Sequence, residues 1–161
     1  MPAFCGVDHV ALTVTDLDVS ERFYVEVFGF RRVLDVGYGR ITLDAATGFT
    51  LALLLPDGAV GGPFTELATG LDHLGFGARD RAELVEWEER LGALGVPFTP
   101  IRDMPLGHHL NFRDPDGIAL ELHTPTEVYV SALAELSTRD VSDEEVLQTA
   151  QRLLGDDFPT L

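Results

Sequence analysis

The feature that most limits what this chain can fold into is an internal repeat. Gly6-Val7-Asp8-His9-Val10-Ala11-Leu12-Thr13 recurs as Gly70-Leu71-Asp72-His73-Leu74-Gly75-Phe76-Gly77, an offset of 64 residues (73 minus 9). That period exceeds the roughly 20 to 50 residues of solenoid repeats and fits two copies of one small α+β module. Both stretches read as β-strands, in which alternate side chains point to opposite faces. His9 then shares a face with Ala11 and Thr13, and His73 with Gly75 and Gly77, while Val10, Leu12, Val14 and Leu74, Phe76, Ala78 form the opposite, apolar faces. Each histidine looks along a row of small residues that leaves room for a cavity.

The two halves parse alike. Asp16 to Asp18 offer caps for a helix with the apolar stripe Val19, Phe23, Tyr24, Val27 and Phe28, stopped by Gly29. Strands near Phe30 to Val36, Arg40 to Ala45 and Phe49 to Leu55 follow, broken by Gly37-Tyr38-Gly39 and Thr47-Gly48. In the second copy Asp80 and Glu83 open a helix with the stripe Leu84, Trp87, Leu91 and Leu94, ended by Gly95. Strands near Phe98 to Met104, His108 to Arg113 and Ile118 to His123 complete it. The expectation is an α+β fold of two tandem βαβββ modules, residues 1-58 and 70-125, joined by a Gly-rich linker at 59-69. Residues 126-161 form a C-terminal extension of two helices, the second capped by Ser142 and Glu145 and burying Val146, Leu147, Ala150, Leu153 and Leu154.

Composition narrows the chemistry. A formal net charge of -16 opposes nucleic-acid backbones and anionic membranes. All 11 basic residues are arginine, which removes Schiff-base chemistry and a lysine base. The single cysteine, Cys5, reads as a small hydrophobe near the terminus and forms no internal disulfide, in keeping with a reducing cytosol. No basic region leads into an apolar run at the start, and no stretch approaches membrane-spanning length. A soluble cytoplasmic protein with a small-molecule substrate, and with neither nucleic acid nor membrane as partner, is the expectation.

Glu121 lies in Ile118-Ala119-Leu120-Glu121-Leu122-His123, on the face shared with Ala119 and His123. A carboxylate in so apolar a strand is costly unless it faces solvent, is paired, or binds a metal. A lone histidine is more often a core residue satisfied by hydrogen bonds. Two at equivalent positions beside small neighbours, with one carboxylate, instead make a facial triad for a divalent ion: His9, His73 and Glu121.

The twin Gly-x-Asp-His openings, the paired modules and the segment Phe112-Arg113-Asp114-Pro115-Asp116-Gly117-Ile118-Ala119-Leu120-Glu121-Leu122 resemble the vicinal oxygen chelate superfamily, which includes glyoxalase I, extradiol dioxygenases, fosfomycin-resistance enzymes and bleomycin-binding proteins. The resemblance spans about Val7 to Pro125. It implies a half-barrel cup, a homodimer, and one divalent metal (Fe, Zn, Ni, Mn or Co) held by His9, His73 and Glu121. The place of a fourth ligand falls on Ala52, four residues before Pro56 as Glu121 is four before Pro125, and alanine cannot ligate. That departs from glyoxalase I. The three-ligand set is like that of extradiol and fosfomycin enzymes, although Asn111 stands where the former usually carry tyrosine and the lysine of the latter is missing.

Around this set, His123 is a candidate base or proton relay one pleat from Glu121, or else an exposed strand-end residue. His108 and His109 point to opposite faces, so only one can join the cup. Tyr38 is a candidate for the cup mouth, and Arg102 and Arg113 are candidates for a substrate anion, although Arg113 beside the Asp114-Pro115-Asp116-Gly117 turn reads more readily as the partner of an aspartate. Two functions follow: a metal-dependent lyase, isomerase or dioxygenase, glyoxalase-like or dioxygenase-like, or a metal-free drug-binding protein of the bleomycin-resistance kind.

Overall fold

The computed structural model describes residues 6–155, so Cys5 lies outside the described residues. The repeat appears as two four-stranded mixed sheets of identical plan. In the first, β1 (His9–Thr13) leads through α1 (Leu17–Phe28) to β2 (Arg31–Asp35), β3 (Gly39–Leu43) and β4 (Thr50–Leu54), in the order β1-β4-β3-β2. β1 runs parallel to β4, and the other pairs are antiparallel. The second repeats this with β5 (Leu74–Gly77), α2 (Arg81–Ala93), β6 (Arg102–Met104), β7 (Gly107–Arg113) and β8 (Ala119–Pro125), in the order β5-β8-β7-β6. Two further helices follow, α3 (Glu127–Ser137) and α4 (Asp143–Leu154). Among the described residues no helix is long and apolar enough to cross a membrane.

Compactness divides the chain differently from the repeat. One unit joins the chain up to His73, first copy, linker and second Gly-x-Asp-His motif together, with Arg90–Pro97 and Arg113–Ala119, and the other holds Leu74–Glu89, Phe98–Phe112 and the chain from Leu120 onward. In the first unit α1 packs on β3 and β4 over Leu12, Val14, Tyr24, Val27, Leu51 and Leu53, all buried. Each such side chain contributes about 1.5–3 kcal/mol of hydrophobic stabilisation. Asp16 caps α1 by accepting from the backbone N–H of Asp18 and Val19, and Gly29 ends it at φ 77°. No basic residue lies in the last turn of α1. Arg90 supplies the charge instead, donating to the carbonyls of Val27 (2.7 Å) and Glu26 (2.6 Å).

The turn before β8 is fastened to α1. The Tyr24 hydroxyl, fully buried, donates to Asp114 Oδ2 at 3.0 Å, while Asp114 Oδ1 accepts from the N–H of Asp116 and Ile118, both at 2.9 Å. Asp116 in turn accepts from the Thr15 N–H and hydroxyl and from Ser20 Oγ. Ser20 is therefore buried where the apolar stripe was expected to continue through Val19, which is 42% exposed. Burial pushes the Asp114 carboxyl above its usual range, and the same burial, with the Asp114 charge alongside, pushes the Tyr24 phenol up.

In the second unit the core comprises Leu84, Leu110, Phe112, Leu120 and Leu122. The strand expected from Phe98 is shorter: Phe98 makes one isolated bridge to Phe112, and β6 starts at Arg102. Pro100 has no N–H for a ladder, and the N–H of Ile101 goes to Glu88 Oε1 at 2.9 Å. Leu94 lies beyond the last turn of α2 and is exposed, outside the stripe expected of it. α4 has the expected capping box of Ser142 and Glu145. Its apolar stripe meets α3, yet no α4 residue is buried, and Val146 and Leu147 are each 47% exposed.

Candidate metal centre

Strand alternation sets the faces of His9 in β1 and Glu121 in β8, whereas His73 lies just before β5, outside the strand expected to carry it. In β1, His9, Ala11 and Thr13 are exposed while Leu12 is buried. Register carries the same face onto Thr50, Ala52 and Leu54 of β4. Asp8 accepts from its neighbour's ring, its Oδ2 lying 2.9 Å from His9 Nδ1. The second copy does the same, with Asp72 Oδ1 2.6 Å from His73 Nδ1. An ionised carboxylate only accepts, so in each Gly-x-Asp-His motif a ring with its proton on Nδ1 is held by the adjoining aspartate and keeps Nε2 as its other polar atom. Sequence reasoning had not assigned Asp8 and Asp72 a role, although both were part of the repeated motif.

In the second unit, β8 alternates buried Leu120, Leu122 and Thr124 with half-buried Ala119, Glu121 and His123. Across the parallel ladder Glu121 faces Gly75 and His123 faces Gly77, where a Cβ would meet nothing within 4 Å. On the other side, His109 Nδ1 lies 2.8 Å from Glu121 Oε2, with the two side chains 24% and 12% exposed. The His109 and His123 rings pack with centroids 4.7 Å apart. Gly107 makes this possible, since a Cβ there would fall 2.1 Å from His123 Nε2 and 2.8 Å from the Thr124 carbonyl oxygen.

Arg102 pairs in register with His109 and so shares the Glu121 face. Its guanidinium reaches Met104 Sδ at 4.0 Å and joins no carboxylate among the described residues. The choice between the adjacent histidines is settled here. His108 turns to the other face, its Nδ1 2.7 Å from Asp103 Oδ1, and Asp103 is also clamped by Arg81 Nε (2.8 Å) and Nη2 (3.0 Å). The Arg81 hydrogen bond, ahead of His108, holds the Asp103 carboxyl below its usual range.

Tyr38 is 61% exposed in the turn between β2 and β3, where its carbonyl accepts from the Leu55 N–H at 2.7 Å. Arg113 is structural: it donates to the Gly117 carbonyl at 2.7 Å and pairs with Glu66, not with an aspartate of the adjoining turn. Among the described residues no group of three or more His, Cys, Asp or Glu side chains forms a ready metal cluster. The donors are prepared in pairs: Asp8 with His9, Asp72 with His73, and His109 with Glu121.

The family model of the Glyoxalase/Bleomycin resistance protein/Dioxygenase superfamily matches residues 6–122. The chain belongs to this superfamily. Within it, the chain is 29% identical over 126 residues to the metallothiol transferase FosB of Staphylococcus epidermidis, covering 75% of this chain and 82% of that protein. A superfamily domain from a Frankia species superposes with a TM-score of 0.70 at 36% identity, over 78% of this chain and 95% of that one. The fosfomycin resistance protein FosX of Listeria monocytogenes, in a variant holding Mn(II) and 1S,2S-dihydroxypropylphosphonic acid, gives a TM-score of 0.61 at 25% identity, over 79% and 95%. All of these matches are to superfamily members of the vicinal oxygen chelate type.

Proposed function

We propose that this chain is a divalent-metal-dependent enzyme of the vicinal oxygen chelate type, with His9, His73 and Glu121 as the metal ligands, acting on a small, oxygen-rich, anionic substrate. The observation that carries this reading is the pair of Asp–His contacts, Asp8 to His9 at 2.9 Å and Asp72 to His73 at 2.6 Å, because both present an imidazole in ligand form at the same place in each module. A divalent ion held by two imidazoles and one carboxylate supplies Lewis acidity to adjacent substrate oxygens. Arg102, on the Glu121 face and without a carboxylate partner among the described residues, binds the substrate's anionic group. His123 exchanges a proton with substrate, and Tyr38, projecting from its turn, closes over the bound molecule. The phosphonate diol bound by FosX has both features in one molecule, an anion and two neighbouring oxygens. We take the working form to be a homodimer in the cytoplasm.

Elemental analysis of protein purified without chelator tests the ligand set. The expected result is one divalent ion per chain in the wild type, lost in His73→Ala, with light scattering reporting a dimer. A chain that stays metal-free after dialysis against Mn(II), Zn(II) and Fe(II), yet binds a bleomycin-type drug, would overturn the enzyme reading in favour of a binding protein.

A further inference from the structure

We propose that His109 is a positioning residue for Glu121: its Nδ1–H holds one carboxylate oxygen so that the other is presented to the metal. This rests on the reading of Glu121 as a ligand. The contact is 2.8 Å between side chains that are mostly buried, and an ionised carboxylate there is an acceptor only, so the donor is His109 Nδ1. A carboxylate oxygen that accepts from a fixed imidazole sets the plane and direction of the whole group, and so the orientation it offers to an ion.

The duplicated module supplies an internal control. In the first sheet the position matching Glu121 is Ala52, and its antiparallel neighbour on β3 is Ile41. In the second sheet Glu121 is met by His109 from β7. Where the strand carries alanine the facing residue is apolar, and where it carries glutamate the facing residue is a hydrogen-bond donor. His109 is itself fixed: the His123 ring packs against it at 4.7 Å, and the absence of a side chain at Gly107 lets His123 occupy that place. Arg102, opposite His109 in the β6–β7 ladder, stands on the same face, so the arrangement also sets the distance from substrate anion to ligand oxygen.

The test is Mn(II) affinity by titration calorimetry on the full chain, comparing the wild type with Glu121→Ala, His109→Leu and His109→Asn. Glu121→Ala is expected to abolish binding. His109→Leu, similar in bulk but unable to donate, weakens it about 10- to 100-fold, and His109→Asn, which keeps a donor, recovers most of that loss. A wild type that takes up no Mn(II), or a Glu121→Ala variant that keeps it, overturns the ligand reading and this inference with it. If those two behave as expected, wild-type affinity in His109→Leu overturns this inference alone. So does loss in His109→Asn as complete as in Glu121→Ala, which would make His109 a ligand. Should His109→Leu fail to fold, the Zn(II)-loaded wild type decides: its histidine 15N–1H spectrum shows the His109 proton on Nδ1 if the inference holds, and on Nε2 if it does not.

Discussion

Removing one hydroxyl, in Tyr24→Phe, isolates the bond that fastens α1 to the turn before β8. The ring stays, so packing against Phe28 and Phe30 is preserved, and the loss falls on Asp114 Oδ2. Oδ1 keeps its two backbone donors, from Asp116 and Ile118. Asp114 is only 5% exposed, so water does not replace the phenol, and a hydrogen bond to a charged group is worth about 1.5–3 kcal/mol. We expect about 2 kcal/mol of destabilisation at pH 7, read by urea denaturation, and a melting temperature lower by about 4–8 °C for a chain of this size.

The pH dependence has a definite sign. Burial raises the folded-state pKa of Asp114 above the ordinary aspartate range, and the Tyr24 bond works against that rise. A carboxyl with a raised folded pKa loses stability as pH climbs from the unfolded value through the folded one. Without the phenol the folded pKa rises further, and that losing window widens upward. The gap between variant and wild type therefore grows from about 1 kcal/mol near pH 3, where the bond is between neutral groups, to about 2 kcal/mol at pH 7. A gap under 0.5 kcal/mol at pH 7, or one that does not change between the two pH values, would refute the reasoning.

Gly107→Ala is expected to destabilise by about 1–3 kcal/mol, because the new methyl meets the His123 ring and the Thr124 carbonyl; a crystal structure of the variant with the His109–His123 stack unmoved would contradict this. Asp72→Ala should weaken Zn(II) binding about 10- to 100-fold by releasing the His73 ring, as judged by competition with a chromophoric chelator, and unchanged affinity would remove the role given to Asp72. Glu145, bonded first of all by Arg139 and then by the Ser142 N–H and hydroxyl, has its pKa lowered to about 2, so the cap of α4 persists as pH falls below the ordinary glutamate value of 4.5 and is lost only on approach to 2. Carbonyl NMR of the Glu145 side chain follows this directly, and a midpoint near 4.5 would disprove it.

The duplication, both sheets and the faces of His9 and Glu121 were legible because they depend on local periodicity, whereas His73, read as part of a strand, lies just before β5. Val10, Leu12 and Val14 against His9 and Ala11 is a period-two pattern that only a half-buried strand satisfies. What was not legible came from contacts distant in sequence. Ser20 is buried and Val19 is not, because Asp116, 96 positions away, reaches the serine hydroxyl. The partner of Arg113 is Glu66, from the stretch read as a linker. His108 and His109 were separable by parity, yet which of them faced Glu121 depended on how β7 lies against β8, a pairing between distant segments. The apolar stripe of α4 was visible as a pattern, whereas periodicity carries no information on what covers it.

The bonds from Asp114 and Asp116 to Tyr24, Thr15 and Ser20 set an order of events during synthesis. A nascent chain that has just left the ribosome with its first module complete still lacks the carboxylates that satisfy the inner side of α1, since they arrive about 60 residues after its first sheet ends. A chain cut after the first module would leave the Tyr24, Thr15 and Ser20 hydroxyls without these acceptors, so the first copy is expected to be less stable alone than within the whole chain.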